Sequence, residues 1–101
     1  MYSIKNTDYY QNWYENLKDS RAKARIDLRL NSVSKGTFGK QRSVGNGIFE
    51  LKIEYGQGYR LYYKKTGNTV LLLLCGGDKS TQSKDIDNAK KILKEYENEN
   101  S

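Results

Sequence analysis

Apolar residues recur along this 101-residue chain with two different periods, so two kinds of secondary structure are expected. Tyr2 and Ile4 alternate with Ser3 and Lys5, which permits a short edge strand. Thr7 offers a helix cap with Asp8 in the first turn. Tyr9, Tyr10, Trp13, Tyr14 and Leu17 then fall at i, i+1, i+4, i+5 and i+8, one stripe of a helix. Asp19-Ser20 interrupts. Ala22, Ile26, Leu30 and Val33 mark a second helix that Gly36 ends, with Arg21, Lys23, Arg25 and Arg29 off the stripe.

From Val44 the period becomes two. Phe49, Leu51, Ile53 and Tyr55 alternate with Glu50, Lys52 and Glu54; Tyr59, Leu61 and Tyr63 alternate with Arg60, Tyr62 and Lys64. For both apolar sets to share the core face, the paired residue numbers must have an even sum, so the connecting loop holds an odd number of residues. Gly56-Gln57-Gly58 suits this, with Gly58 in a left-handed bend. Lys52 then lies beside Arg60 and Tyr62, with Glu50 on the same side. Thr66-Gly67-Asn68 is a second hairpin turn, and Val70–Cys75, apolar on both faces, reads as a central strand covered on both sides. Ser83 is placed to cap a last helix carrying Ile86, Ala89, Ile92, Leu93 and Tyr96. The expected class is α+β, in one domain over residues 1–101.

Charge adds a direction to this frame. The net charge is +6, but residues 1–84 carry fifteen basic and seven acidic side chains (+8), and 85–101 carry three and five (−2). A basic body suits a polyanion or an acidic protein partner; a solvated surface is the bland alternative. No apolar run is long enough to span a bilayer and no secretory signal precedes the domain, so a cytoplasmic protein is expected. The single Cys75 reads as a small buried hydrophobe.

With no histidine, one cysteine and no carboxylates at ligand spacing, neither a metal site nor a Ser-His-Asp arrangement is expected, and no cofactor. What remains is a Lys/Arg/Tyr sheet face able to bind phosphate. Such a face can cleave RNA without metal if Arg60 neutralises the pentacovalent phosphate. Lys52 can act as base only where burial or a neighbouring charge strips its proton, and Tyr62 or Tyr63 can relay one. The same residues also read as a solvated face with Lys52 paired to Glu50 or Glu54. Arg21, Lys23, Arg25, Arg29 and Lys64 are candidate RNA contacts.

The segments LKDSRAKARI (17–26), VGNGIFELKIEYGQGYRLYY (44–63) and LLLLCGGDKSTQSKDIDNAKKI (71–92), in this order, resemble the RelE/ParE-type toxin superfamily, in its HigB-like branch of addiction-module killer proteins. The resemblance implies a RelE-like fold, with two N-terminal helices packed on a twisted antiparallel sheet and a C-terminal helix. It implies the toxin of a type II toxin–antitoxin system, neutralised by a small helix-turn-helix antitoxin. RelE-like members cut mRNA on the ribosome, which makes a ribosome-dependent endoribonuclease the expected activity. ParE-like members inhibit DNA gyrase, and a phage-derived binding module without toxicity is a further alternative. Arg60 matches the arginine position associated with RNA cleavage, Lys52 a basic position often held by arginine, and Lys79 and Gln82 positions shared with the branch. The site expected is therefore Arg60 with Lys52, Tyr62 and Lys79.

Overall fold

The computed structural model describes residues 1–99. Its elements run β1 (Ser3–Asn6), α1 (Asp8–Glu15), α2 (Ser20–Ser34), β2 (Gln41–Gly45), β3 (Ile48–Ile53), β4 (Tyr59–Thr66), β5 (Val70–Gly77) and α3 (Gln82–Glu99), with a 3₁₀ turn at Lys79–Thr81 leading into α3. The strands form one five-stranded sheet in the order β1-β5-β4-β3-β2. The α+β class is as expected. The sheet, however, is mixed rather than antiparallel, because β1 pairs parallel to β5. The helices also do not open the chain, since β1 precedes them.

The caps follow from local chemistry. Thr7 Oγ1 accepts the Tyr10 N–H at 3.1 Å and donates to the Leu74 carbonyl, so one side chain starts α1 and ties it to β5. Asp19 Oδ1 accepts the N–H groups of Arg21 and Ala22 to start α2. At the last helix the cap is not Ser83. Asp78 accepts the Ser80 N–H at 2.8 Å and closes a capping box with Thr81, which moves the cap five residues upstream of the expected Ser83.

Two cores lie on opposite faces of the sheet. Tyr10, Ala22, Ile26 and Val33 of the first two helices pack on Leu51, Ile53, Leu61, Tyr63, Leu71 and Leu73. Ala89, Ile92 and Leu93 of α3 pack on Ile48, Tyr62, Leu72, Leu74 and Cys75. Residues of β5 therefore enter both cores, which is why its sequence is apolar without alternation. A bulge on β5 pairs Tyr62 with Cys75 and Tyr63 with Leu73, so the extra Leu74 joins Cys75 on the α3 side.

The β3–β4 register is the even-sum one: Glu50 pairs with Tyr62, Lys52 with Arg60 and Ile53 with Tyr59. Gly58 supplies the left-handed bend at φ 73°. Strand β3 ends at Ile53 rather than Tyr55, leaving residues 54–58 as the loop. Strand β2 has no counterpart in the expected elements. Among the described residues no helix is long and apolar enough to cross a membrane.

Candidate anion-binding cleft

Beside the α3 N-terminus the sheet face is left open over β2, β3 and β4. A cleft of about 330 Å³ there is lined by Lys40, Gln41, Arg42, Glu50, Lys52, Arg60 and Gln82. Larger cavities exist, including one of about 560 Å³ at the β4–β5 turn, but this one holds the buried charges.

Register builds the site. Antiparallel pairing sets Arg42 opposite Glu50 across β2–β3 and Lys52 opposite Arg60 across β3–β4, so all four emerge on one face. Glu50 is 4% exposed and Arg60 6%. The Glu50 carboxylate accepts hydrogen bonds from Arg42 Nε at 3.0 Å, Tyr62 Oη at 3.1 Å and Gln82 Nε2 at 2.8 Å. Burial alone would raise its pKa. The Arg42 and Gln82 hydrogen bonds, the Arg42 charge and the Tyr62 hydroxyl more than offset that and hold it below the ordinary glutamate value.

Arg60 is less completely satisfied. Its NH1 donates to the Gly58 carbonyl at 2.8 Å. Its Nε lies 3.7 Å from Glu50 Oε1 and, although buried, has no hydrogen-bond partner among the described residues. A buried guanidinium N–H facing a cation-lined cleft is a ready donor to an anion. Lys52, with a side chain 41% exposed, reaches Glu54 only at 3.9 Å. Lys79 is exposed, and its N–H meets the Gln57 carbonyl at 3.4 Å. A Cβ at Gly58 would lie 3.5 Å from Arg60 NH1 and 3.8 Å from Lys79 Cβ, so Lys79 and Arg60 flank the same turn.

Tyr62 corrects the expectation of an outward phenol. It is on the expected face, but α3 covers that face and leaves Tyr62 0% exposed. Burial first, then the Glu50 charge, pushes its pKa up, so the phenol stays protonated and serves as a donor to Glu50. Tyr63 lies in the other core with its hydroxyl on Gln41.

The segment 76–82 also acquires physical roles. A Cβ at Gly76 would sit 2.4 Å from the Trp13 ring, and one at Gly77 would sit 1.8 Å from Asp85 Oδ2. Asp78 caps, and Gln82 reaches back to Glu50. Cys75 is buried, and burial pushes its thiol up to about 12, in keeping with a packing role.

The candidate RNA contacts do not converge on the cleft. Arg29 is a structural clamp: its guanidinium donates to the carbonyls of Phe38, Lys40 and Lys52. Arg21, Lys23 and Arg25 belong to α2, against the sheet face opposite to the cleft; Lys23 covers the Tyr14 ring and Arg25 the Tyr55 ring. Lys64 is on the cleft face but pairs with Glu97 at 3.1 Å. Conversely, Arg42 and Lys40 were missed because only Val44 in β2 is apolar and partly buried, which gives no alternation to read. Glu50 was legible by parity as a neighbour of Lys52, not as the centre of the cluster.

The chain is 50% identical over 92 residues to an uncharacterized protein of Haemophilus influenzae (strain Rd), covering 91% of this chain and 93% of that one. No family model and no solved structure matches it.

Proposed function

We propose that this chain, which belongs to one family with that Haemophilus influenzae protein, is the toxin of a type II toxin–antitoxin pair and a metal-independent, ribosome-dependent mRNA endonuclease. The observation that carries this is Arg60: a buried guanidinium with an unsatisfied Nε, beside an ionised carboxylate, at the floor of a cleft rimmed by Lys40, Arg42 and Lys52. Two helices against one face of the sheet are in keeping with a RelE-like arrangement.

In this reading the scissile phosphodiester sits on Arg60, with Arg42 and Lys52 at its sides. Glu50, not Lys52, takes the proton of the ribose 2′-hydroxyl. The freed oxygen attacks phosphorus, the bond from phosphorus to the 5′ oxygen breaks, and that oxygen takes a proton from Lys52 or from solvent. The products are a 2′,3′-cyclic phosphate and a 5′-hydroxyl. Arg60 stabilises the charge that builds on phosphorus, and Tyr62 and Gln82 hold the carboxylate in place. Lys79, at the Gly58 turn, lies where it can meet the flanking backbone. The partners are mRNA on the ribosome and a small helix-turn-helix antitoxin, in the cytoplasm.

Primer extension on cellular mRNA after induction tests this. New codon-linked 5′ ends are expected, and they should vanish in a folded Arg60→Ala variant. Intact messages with arrested replication would replace the reading with gyrase inhibition, and harmless overexpression with a binding module.

A further inference from the structure

We propose that the cavity between α1 and α3, at the uncovered end of β5, binds the guanine base of a nucleoside. It shares no lining residue with the Arg60 cleft, and the proposal does not rest on RNA cleavage.

The cavity measures about 420 Å³, an ordinary size for a small-ligand site, and its walls include Tyr9, Trp13, Gly76, Asp85, Asn88 and Lys91. At its back is an unpaired peptide edge. The Lys52 N–H donates to the Lys40 carbonyl, so even-numbered residues of β3 turn their backbone groups to β2 and odd-numbered ones to β4. Leu51 and Leu61 are therefore a hydrogen-bonded pair. Arg60 and Tyr62 turn instead to β5, where they meet Gly77 and Cys75. Gly76, between these two, turns both its N–H and its C=O away from β4. Strand β1 does not reach that far, since its pairing with β5 stops at Leu73. Thr7 donates to the carbonyls of Leu73 and Leu74, and among the described residues no hydrogen bond reaches Gly76 from this side. Gly76 is buried all the same. A buried peptide group without a partner, lining a cavity, is a costly arrangement that a ligand can resolve.

The open edge is one residue long, closed by Thr7 on one side and by the Asp78 turn on the other. It fits a single acceptor–donor pair rather than an added strand. The lactam edge of a base offers that pair: its carbonyl accepts from the Gly76 N–H, and its ring N–H donates to the Gly76 C=O. The neighbouring wall asks for one more donor. Asp85 lies against Gly77, where a Cβ would come 1.8 Å from Oδ2. Among the described residues the Thr81 hydroxyl is the one donor to its carboxylate, and burial raises its pKa. A further N–H donor would oppose that shift. Guanine carries an exocyclic amine beside its ring N–H, so O6 and N1 meet Gly76 while N2 meets Asp85. Tyr9 and Trp13 supply aromatic walls for a flat ring. Asp85 and Glu95 outweigh Lys91 in charge, which favours an uncharged nucleoside over one bearing phosphates.

The probe is guanosine, added to the full-length ¹⁵N-labelled chain. The comparisons are inosine, which lacks the exocyclic amine, and adenosine, whose edge reverses donor and acceptor. Guanosine is expected to shift the Gly76 amide and the indole signal of Trp13, the one tryptophan of the chain, and to slow hydrogen exchange at Gly76. Inosine should bind roughly tenfold more weakly, the loss expected for one hydrogen bond to a carboxylate. Asp85→Asn should bring guanosine down to the level of inosine and leave inosine unchanged. The wild-type nucleoside series decides the matter even if that variant fails to fold. Unmoved Gly76 and Trp13 signals at millimolar guanosine would overturn the proposal and leave water as the partner of Gly76. Equal binding of all three nucleosides would also overturn it, by reducing the contact to ring stacking. So would shifts at Arg42 and Lys52 in place of Gly76, which would put the base in the cleft.

Discussion

Arg60 Nε lies 3.7 Å from Glu50 Oε1, with the two residues 6% and 4% exposed, yet the pair is not closed by a hydrogen bond. A buried charge pair held just beyond bonding distance keeps the guanidinium oriented without saturating it. That leaves Arg60 able to donate to a third group, and the cleft is where such a group can sit.

Arg60→Lys should therefore be as inactive as Arg60→Ala. A lysine ammonium is a point charge and cannot reach the Gly58 carbonyl and an anion in one planar fork. Either change should slow the proposed ribosome-dependent cleavage of mRNA by roughly 10²-fold or more, the loss typical of removing one preorganised donor. Thermal unfolding of both variants separates this from misfolding. A folded Arg60→Lys protein that cleaves at the wild-type rate would rule out fork geometry as the reason for the arginine.

Glu50 should make stability depend on acid. Its folded pKa is held below the ordinary 4.5, so its stabilising contribution is fully present above about 4.5 and is lost as pH falls through the lower folded value. Melting temperatures from pH 7 to pH 3 should show wild type well above Glu50→Gln at neutral pH, with the gap narrowing in acid. Glu54 is shifted the same way by Lys40 and is common to both proteins, so the difference isolates Glu50. Breaking a buried charge cluster on one side costs about 3 kcal/mol, which sets the scale of the neutral-pH gap for Glu50→Ala. A gap that does not change with pH would mean that Glu50 is not an ionised anchor.

The hairpin that carries the site was legible because parity is unforgiving: a one-residue slip would have buried Lys52 and exposed Leu61. Which side of the sheet Tyr62 occupies followed from the same rule. Its burial did not, because covering by α3 is a tertiary fact with no trace in local alternation. Strand β2 hides for the opposite reason, having almost nothing apolar to bury. Arg29 was misread because a guanidinium that satisfies backbone carbonyls has the same sequence as one that meets a phosphate. The Gly76-Gly77 pair has its reason in what approaches it, the Trp13 ring and Asp85, which local sequence does not announce.

Gly76→Ala should be destabilising although alanine favours neither turn nor clash by itself. Its Cβ would sit 2.4 Å from the Trp13 ring, and Gly76 and Trp13 are both held in place, by β4 pairing and by α1 packing. Overpacking of this kind costs about 1–3 kcal/mol. Chemical denaturation of Gly76→Ala, Trp13→Leu and the double variant tests it as a cycle. The double variant should lose less than the sum of the two single losses, since the smaller side chain makes room for the methyl. Strict additivity would show that Trp13 is not what excludes a side chain there.

Arg29→Ala should damage the fold and not RNA affinity as such. The guanidinium bridges three carbonyls from α2 to the start of β2 and to β3: Nε and NH2 meet Phe38, NH1 meets Lys52 at 2.6 Å and NH2 meets Lys40 at 2.9 Å. Loss of these charge-assisted bonds, with carbonyls left unpaired, is worth about 3 kcal/mol. Arg29→Lys should recover only part of it, because an ammonium cannot hold the three acceptors in that plane. Arg21→Ala, at an exposed position on the same helix, should be close to neutral in stability. Unfolding curves rank the variants, and filter binding of the folded fraction to RNA checks the second half. An Arg29→Ala protein with unchanged stability and weakened RNA binding would return Arg29 to the surface role that its place in the sequence suggests.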